Sequence, residues 1–162
     1  MPDPRPTAPR IPPGYGVPPD GSGAELLPWS WAVERLVAAR CYWICTTRRD
    51  GRPHAAPVWG LWRDDAIWFS TDRASQKARN LRRDPRVVVH LESGDETVII
   101  EGSASEELSS PAREAFADEY EAKYAVRPDP ALGASLVLVV RPTAAQTWRE
   151  RDYPRTATRW VF

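Results

Sequence analysis

Residues 41–71 read CYWICTTRRDGRPHAAPVWGLWRDDAIWFST. Cys41 to Arg48 is dense in aromatic and β-branched residues, the side chains that suit a pleated, half-buried surface. Asp50-Gly51 follows, a pair that tolerates the positive backbone angles of a tight hairpin. A second strand runs from His54 to Trp62. Pro57 within it has no N–H for a ladder, so it belongs at an edge, at a bulge or facing a ligand. Asp64-Asp65 makes the next turn, and Ala66 to Thr71 is a third strand. Tight turns between neighbouring strands make the pairing antiparallel.

The same pattern extends both ways. Upstream, Pro28 opens a helix that Ser30 can cap, with Val33, Leu36 and Val37 at helical spacing and an end near Arg40. Downstream, residues 73–83 predict a short helix capped by Thr71 or Asp72 and stopped by Pro85. RVVVHLE (86–92) is a strand, Gly94-Asp95 a turn, and TVIIEGSAS (97–105) a strand. Residues 110–124 form a helix with Pro111 in its first turn and Phe116, Tyr120 and Tyr124 along one face. SLVLVVRP (135–142) and AAQTWRE (144–150) read as two further strands before the closing TRWVF. Many short strands with three helices predict a mainly β fold, an antiparallel barrel with flanking helices.

Residues 1–28 hold nine of the 17 prolines and four of the nine glycines. Such a segment buries too little apolar surface to offset ordering. It is expected to be a flexible Pro/Gly-rich arm, with Tyr15 and Val17 as anchor points, ahead of one barrel domain over 29–162. The 162 residues suffice for one core. No apolar run approaches the roughly 20 residues that span a bilayer, and no secretory signal opens the chain, so a cytoplasmic location is expected. Cys41 and Cys45 lie on one face of a strand and are expected to be buried, reduced thiols, with no partner set for a metal.

Twenty-two basic and 22 acidic residues cancel, so recognition must be local. RASQKARNLRRDPR (73–86) sets Arg73, Lys77, Arg79, Arg82, Arg83 and Arg86 against Asp84 alone. Its first part begins a helix, where free amides and a partial positive charge suit phosphate. A solvated basic helix is the alternative. Nucleic acid is not expected, since no binding module accompanies the arginines. Side-chain machinery for catalysis is thin: His54 lies early in the second strand, near the expected ligand side, His90 reads as structural, and no triad, zinc motif, P-loop or dinucleotide-binding glycine pattern is present. An enzyme of this kind takes its chemistry from a cofactor.

Three segments now stand in order: YWICTTRRDGRPHAAPVWGLW (42–62), IWFSTDRASQKARNLRRDPRVVVHLE (67–92) and TATRWVF (156–162). Together they resemble the pyridoxamine-5′-phosphate-oxidase-like split β-barrel superfamily, and within it the flavin/deazaflavin oxidoreductase branch that uses coenzyme F420. The resemblance implies a six-stranded split barrel working as a homodimer, with two cofactor sites at the interface, each built from both chains. It implies that the backbone of the second strand, at Ala56, Pro57, Val58 and Trp59, faces the ring system. It places the phosphate at Ser70, Thr71, Ser75, Gln76 and Lys77, where the charge pattern independently points. FMN-binding relatives carry Arg directly before this lysine; here the residue is Gln76. The glutamate tail of F420 suits a broad basic surface, with Arg79, Arg82, Arg83, Arg48 and Arg49 as its members. The tail of the chain offers Arg155 and Arg159 without a histidine, so oxidation of vitamin B6 is not expected. The implied activity is hydride transfer from reduced F420 to a small planar acceptor held by tryptophans such as Trp43, Trp59 or Trp160. Arg159 either steadies a developing anion or sits in an ion pair. An FMN-dependent oxidoreductase and a non-catalytic cofactor carrier or sensor remain the alternatives.

Overall fold

A computed structural model describes residues 4–15, 23–128 and 135–162. The hairpins form where the sequence marks them. Asp64 and Asp65 both take positive φ, 51° and 54°, as a two-residue turn with native twist requires. Gly51 closes the first hairpin at φ 83°. The strands are β1 Arg5–Thr7, β2 Cys41–Thr47, β3 Pro53–Arg63, β4 Ala66–Asp72, β5 Arg86–His90, β6 Glu96–Glu106, β7 Ser135–Arg149 and β8 Thr158–Val161. The helices are α1 Trp29–Ala38, α2 Gln76–Arg83 and α3 Ser110–Tyr124.

Six strands close an antiparallel ring in the order β2-β3-β4-β7-β6-β5, with β5 returning to β2. The two C-terminal strands expected from the sequence are one. β7 runs 15 residues; β4 pairs with its first part, β8 with Ala144–Thr147, and β6 with nearly its whole other side. Pro142 does not break it, because it falls in the gap between β4 and β8 and beside the bulge at Glu101/Gly102. β1, from the Pro-rich arm, pairs with β8. Tyr15 sets its ring edge-on to Tyr153 at 5.5 Å, while Val17 lies outside the described residues.

The barrel interior is filled by Tyr42, Ile44, Ile67, Phe69, Val89, Ile100 and Val140, all fully buried. α1 adds Trp29, Ala32 and Leu36 to this core, and Trp29 meets Trp160 at 5.3 Å and Phe162 at 5.0 Å. The helix starts at Trp29, so Ser30 sits inside its first turn and makes no cap; Pro28 holds the cap position without a side-chain bond. α3 packs outside, where Phe116 and Tyr124 cover Leu61, Trp68, Val137 and Val139. Ser109 caps it through Ala112 N.

β3 changes partner along its length. Pro53–Trp59 pair with β2, and Gly60–Arg63 pair with β4. The change occurs at Gly60, where an added Cβ would lie 2.6 Å from the Trp68 carbonyl oxygen. The end of α3 fastens the crossing. Tyr124 Oη accepts from Gly60 N at 3.0 Å and lies 2.7 Å from the carbonyl oxygens of Gly60 and Arg40. Lys123 Nζ donates to the carbonyls of Ala39 at 2.7 Å, Val37 at 3.2 Å and Gly60 at 3.3 Å. Burial pulls the Lys123 ammonium below its usual pKa and pushes the Tyr124 phenol above its own.

Two substitutions test this crossing by urea unfolding. Gly60→Ala should cost about 1–3 kcal/mol from overpacking, whereas Gly94→Ala, with nothing within 4 Å, should change little. Tyr124→Phe strands the buried Gly60 amide and should also cost about 1–3 kcal/mol; full stability in either crossing variant would show that the junction does not hold the barrel.

Candidate functional site

The partner change leaves an open edge. A two-residue turn makes its flanking residues, Arg63 and Ala66, exchange both backbone bonds. Counting back by twos, the backbone groups of Leu61, Trp59, Pro57 and Ala55 face away from β2. β4 meets Leu61 but pairs no further back than Gly60. Trp59, Pro57 and Ala55 therefore present their backbone to a cleft, and the missing N–H of Pro57 costs no ladder bond. On the far side of the cleft, Ser70, Thr71 and Asp72 pair only with β7 and lead into α2.

The turn into α2 builds a seat of donors. The helix begins at Gln76, later than expected, because Ser75 is its cap and accepts from Ala78 N at 3.2 Å. Asp72, expected as a cap, instead holds Ala74 N at 2.6 Å. Thr71, the other expected cap, bonds side chains: Lys77 Nζ donates to Thr71 Oγ1 at 3.3 Å, and Thr71 donates to Ser75 Oγ at 3.1 Å. Since Ser75 Oγ accepts from both Thr71 and Ala78, its own hydrogen is left to donate outward. The first helical bond is Arg79 N to Ser75 O, so the amides of Gln76 and Lys77 have no intrahelical partner. A hydroxyl, two amides and an ammonium thus converge with donors outward, which suits an anion. Lys77 is half-buried, and desolvation pulls its pKa down.

The charge of the segment is partly answered elsewhere. Arg73 pairs with Glu106 at 3.1 Å and Arg86 with Asp84 at 2.7 Å. Arg82 lines a different groove, with Leu81, Pro85 and Leu138. Arg83 donates to the Thr47 carbonyl at 2.5 Å. No carboxylate pairs with Lys77 or Arg79 among the described residues. Arg48, Arg49 and Arg52 of the β2–β3 turn line a shallow groove with Asp50 and Gln76. Asp50 is tied to Arg52, whose hydrogen bonds hold its carboxyl below the usual range.

The predicted residues divide. Ser75, Gln76, Lys77 and Thr71 converge at the seat, with Ser70 next to them at the end of β4. Ala56 and Val58 share the inward face of β3 with His54, opposite Ile44, Tyr42 and Thr46. Pro57 and Trp59 point to the other face, where Trp59 stacks on Tyr124 at 4.8 Å under the Arg40 guanidinium. Trp160 cannot hold an acceptor: it is 2% exposed and its indole N–H donates to Thr147. Trp43 lies half-buried on the outer face, stacked parallel on His90. Cys41 and Cys45, expected to be buried, are half-buried on that face and free, and no metal-binding cluster occurs among the described residues. Arg155 pairs with Glu25, and Arg159 is exposed on β8.

Sequence reasoning missed Thr46 and Asn80. Asn80 is 3% exposed and bridges Gln76 Nε2 at 2.8 Å to Thr46 Oγ1 at 2.9 Å. Both signals were present. Gln76 and Asn80 stand four apart on one helix face, and the Asp50-Gly51 hairpin sets Thr46 across from His54.

Residues 32–149 match the family model described as pyridoxamine 5′-phosphate oxidase. Among solved structures, a conserved hypothetical protein from Mycobacterium tuberculosis is 26% identical, covering 77% of this chain and 86% of its own at a TM-score of 0.69. An F420 reductase is 24% identical, covering 69% and 94% at 0.57. General stress protein 26 from Bacillus anthracis is 22% identical, covering 73% and 91% at 0.61. The last two show the shared fold. No curated protein matches the sequence. With the model matching most of the barrel, from α1 through β7, the chain belongs to the pyridoxamine 5′-phosphate oxidase family.

Proposed function

We propose that this protein is an F420-dependent oxidoreductase that passes a hydride from the reduced deazaflavin to a small planar organic acceptor. The observation that carries the reading is the continuity of seat and groove. Gln76 opens α2 beside Lys77, and its side chain lines the groove of Arg48, Arg49 and Arg52. A compact phosphate needs only the seat. A phosphodiester that continues into several carboxylates also needs the groove. The F420 reductase among the structural relatives, and the oxidoreductases of the family, agree with this reading.

When bound, the cofactor supplies the hydride; the chain supplies position and shelter. Lys77, Ser75 and the first amides of α2 would hold the diester. The open edge at Ala55–Trp59 would take the ring, with the small, apolar Ala56 and Val58 lining the strand behind it. Orientation and exclusion of water are the protein's share of catalysis. Members of the family are typically dimeric, and the proposed working unit is a homodimer whose partner completes each cleft. One observation favours FMN as the second reading. The Arg79 guanidinium folds back onto the Ala74 carbonyl and Gln76, which sets a second cation beside the seat.

Titration of the stripped protein with F420 and with FMN, read by cofactor fluorescence and tryptophan quenching, separates the two. F420 should bind more tightly, and Lys77→Ala should weaken it about 10- to 100-fold, the loss of one charge-assisted hydrogen bond. Preference for FMN would transfer the protein to the flavin reading, and tight binding with no acceptor reduced would make it a carrier. Replacing Arg48 and Arg49 together by alanine should weaken full-length F420 more than a form lacking the glutamate tail, with the difference shrinking at high salt. Equal effects on both forms would remove the groove from the site.

A further inference from the structure

A hydrogen-bond chain whose direction is fixed as far as Thr46 leads to His54. It starts at Arg79, whose guanidinium has donors and no acceptor. Gln76 must therefore turn its Oε1 to Arg79, at 3.1 Å. The other end of that amide, Nε2, then donates to Asn80 Oδ1 at 2.8 Å. Asn80 in turn has Nδ2 left to donate to Thr46 Oγ1 at 2.9 Å. Thr46 has one hydrogen, and its remaining neighbour is His54 Nδ1 at 3.4 Å. Thr46 can spend that hydrogen on Nδ1, and in that arrangement Nδ1 accepts and a neutral His54 carries its proton on Nε2. Asn80 and Thr46 are 3% and 5% exposed, so water does not compete for the middle of the chain.

The ring stays neutral near pH 7. Burial, then the charges of Arg48 and Lys77, hold its pKa below the usual histidine value. Arg48 on the β2–β3 turn and Lys77 on α2 are the charged groups acting on it, while β2 and α2 also face it with neutral Thr46 and Asn80. Geometry gives the same neighbourhood: the relay runs from His54 through Thr46 and Asn80 to Gln76, which stands beside Lys77 at the start of α2.

We infer that His54 is a ligand-contact residue, donating its Nε2–H to an oxygen of the phosphodiester held at Lys77, and that Asn80 and Thr46 position it. This rests on the seat reading above. An anion there offsets the two cations that oppose protonation of His54. The histidine pKa is then higher in the complex than in the free protein. Ligand binding takes up a proton between those two values, and affinity rises as pH falls through the bound-state pKa, levelling off below the free one.

Long-range nitrogen–proton NMR on the full chain reads the tautomer before any ligand is added. The free protein should show the Nε2–H form, and Thr46→Val should mix the two tautomers. F420, and inorganic pyrophosphate as a tail-free probe, should each raise the His54 pKa. His54→Ala should weaken F420 about 10-fold, the lower end for a hydrogen bond to a charged group, and abolish the gain in affinity at low pH. His54→Gln should restore binding near pH 7 without restoring the pH dependence. An Nδ1–H tautomer in the free protein would overturn the inference. So would binding that needs Lys77 but leaves the His54 pKa unmoved, and in that case the seat itself would stand. Failure of both F420 and FMN to bind would remove the seat and this inference with it.

Discussion

The split in this barrel follows from β3 being unable to keep both neighbours. Over Pro53–Trp59 it is a partner of β2; from Gly60 it is a partner of β4. The exchange requires the two sheets to pass at close range, and only a residue without a Cβ fits against the Trp68 carbonyl. It also strands backbone groups of Gly60 beyond the end of β2. A buried amide without a partner is costly, and the Tyr124 hydroxyl, delivered by the last turn of α3, takes its place in the ladder. α3 is thereby more than a cover for the outer sheet. It allows a barrel to be closed and split at once, and the split is the cleft.

The second constraint is the direction of donors. At the seat, Lys77 donates to Thr71, Thr71 to Ser75, and the hydrogen of Ser75 is left pointing outward. Next to it, Arg79 fixes Gln76, which fixes Asn80 and Thr46. Both chains begin at a cation: one runs from Lys77 to Ser75, the other from Arg79 to Thr46 beside His54. Local geometry of this kind favours a negatively charged guest irrespective of the protein's net charge, which is zero. Formal charge counting over 73–86 overstates the effect, since Arg73 and Arg86 are paired and Arg82 lies on another groove.

The strands were legible because their turns are written in residues with one conformational use. Asp50-Gly51 and Asp64-Asp65 set the registers, and those registers determine which residues share a face. What failed, failed at boundaries governed by distant contacts. The break expected at Pro142 vanishes because β6 supports β7 continuously while β4 and β8 share its other side. Thr71 and Asp72 are good caps in isolation, yet pairing of β4 with β7 through Asp72 delays the helix until Ser75. Trp160 was misplaced because aromatic content alone does not separate a ligand platform from a core; its neighbour Trp29 comes from 131 residues away. The seat was readable from charge and spacing, whereas the Asn80–Thr46–His54 relay required the hairpin register and the helix face to be combined.

Pro57 joins these threads. An unpaired edge strand invites another strand to add to it. The edge here has backbone groups of Ala55, Pro57 and Trp59 turned outward, and the central one has no N–H. A complete antiparallel ladder cannot form across it, so strand addition is disfavoured along this edge. The proposed ring would need no such ladder; small side chains, a few carbonyls and one or two N–H groups at fixed positions would suffice, and the Ala55–Trp59 edge has them. The residue that looks like a defect in a strand is, at this edge, what keeps another strand from closing the split.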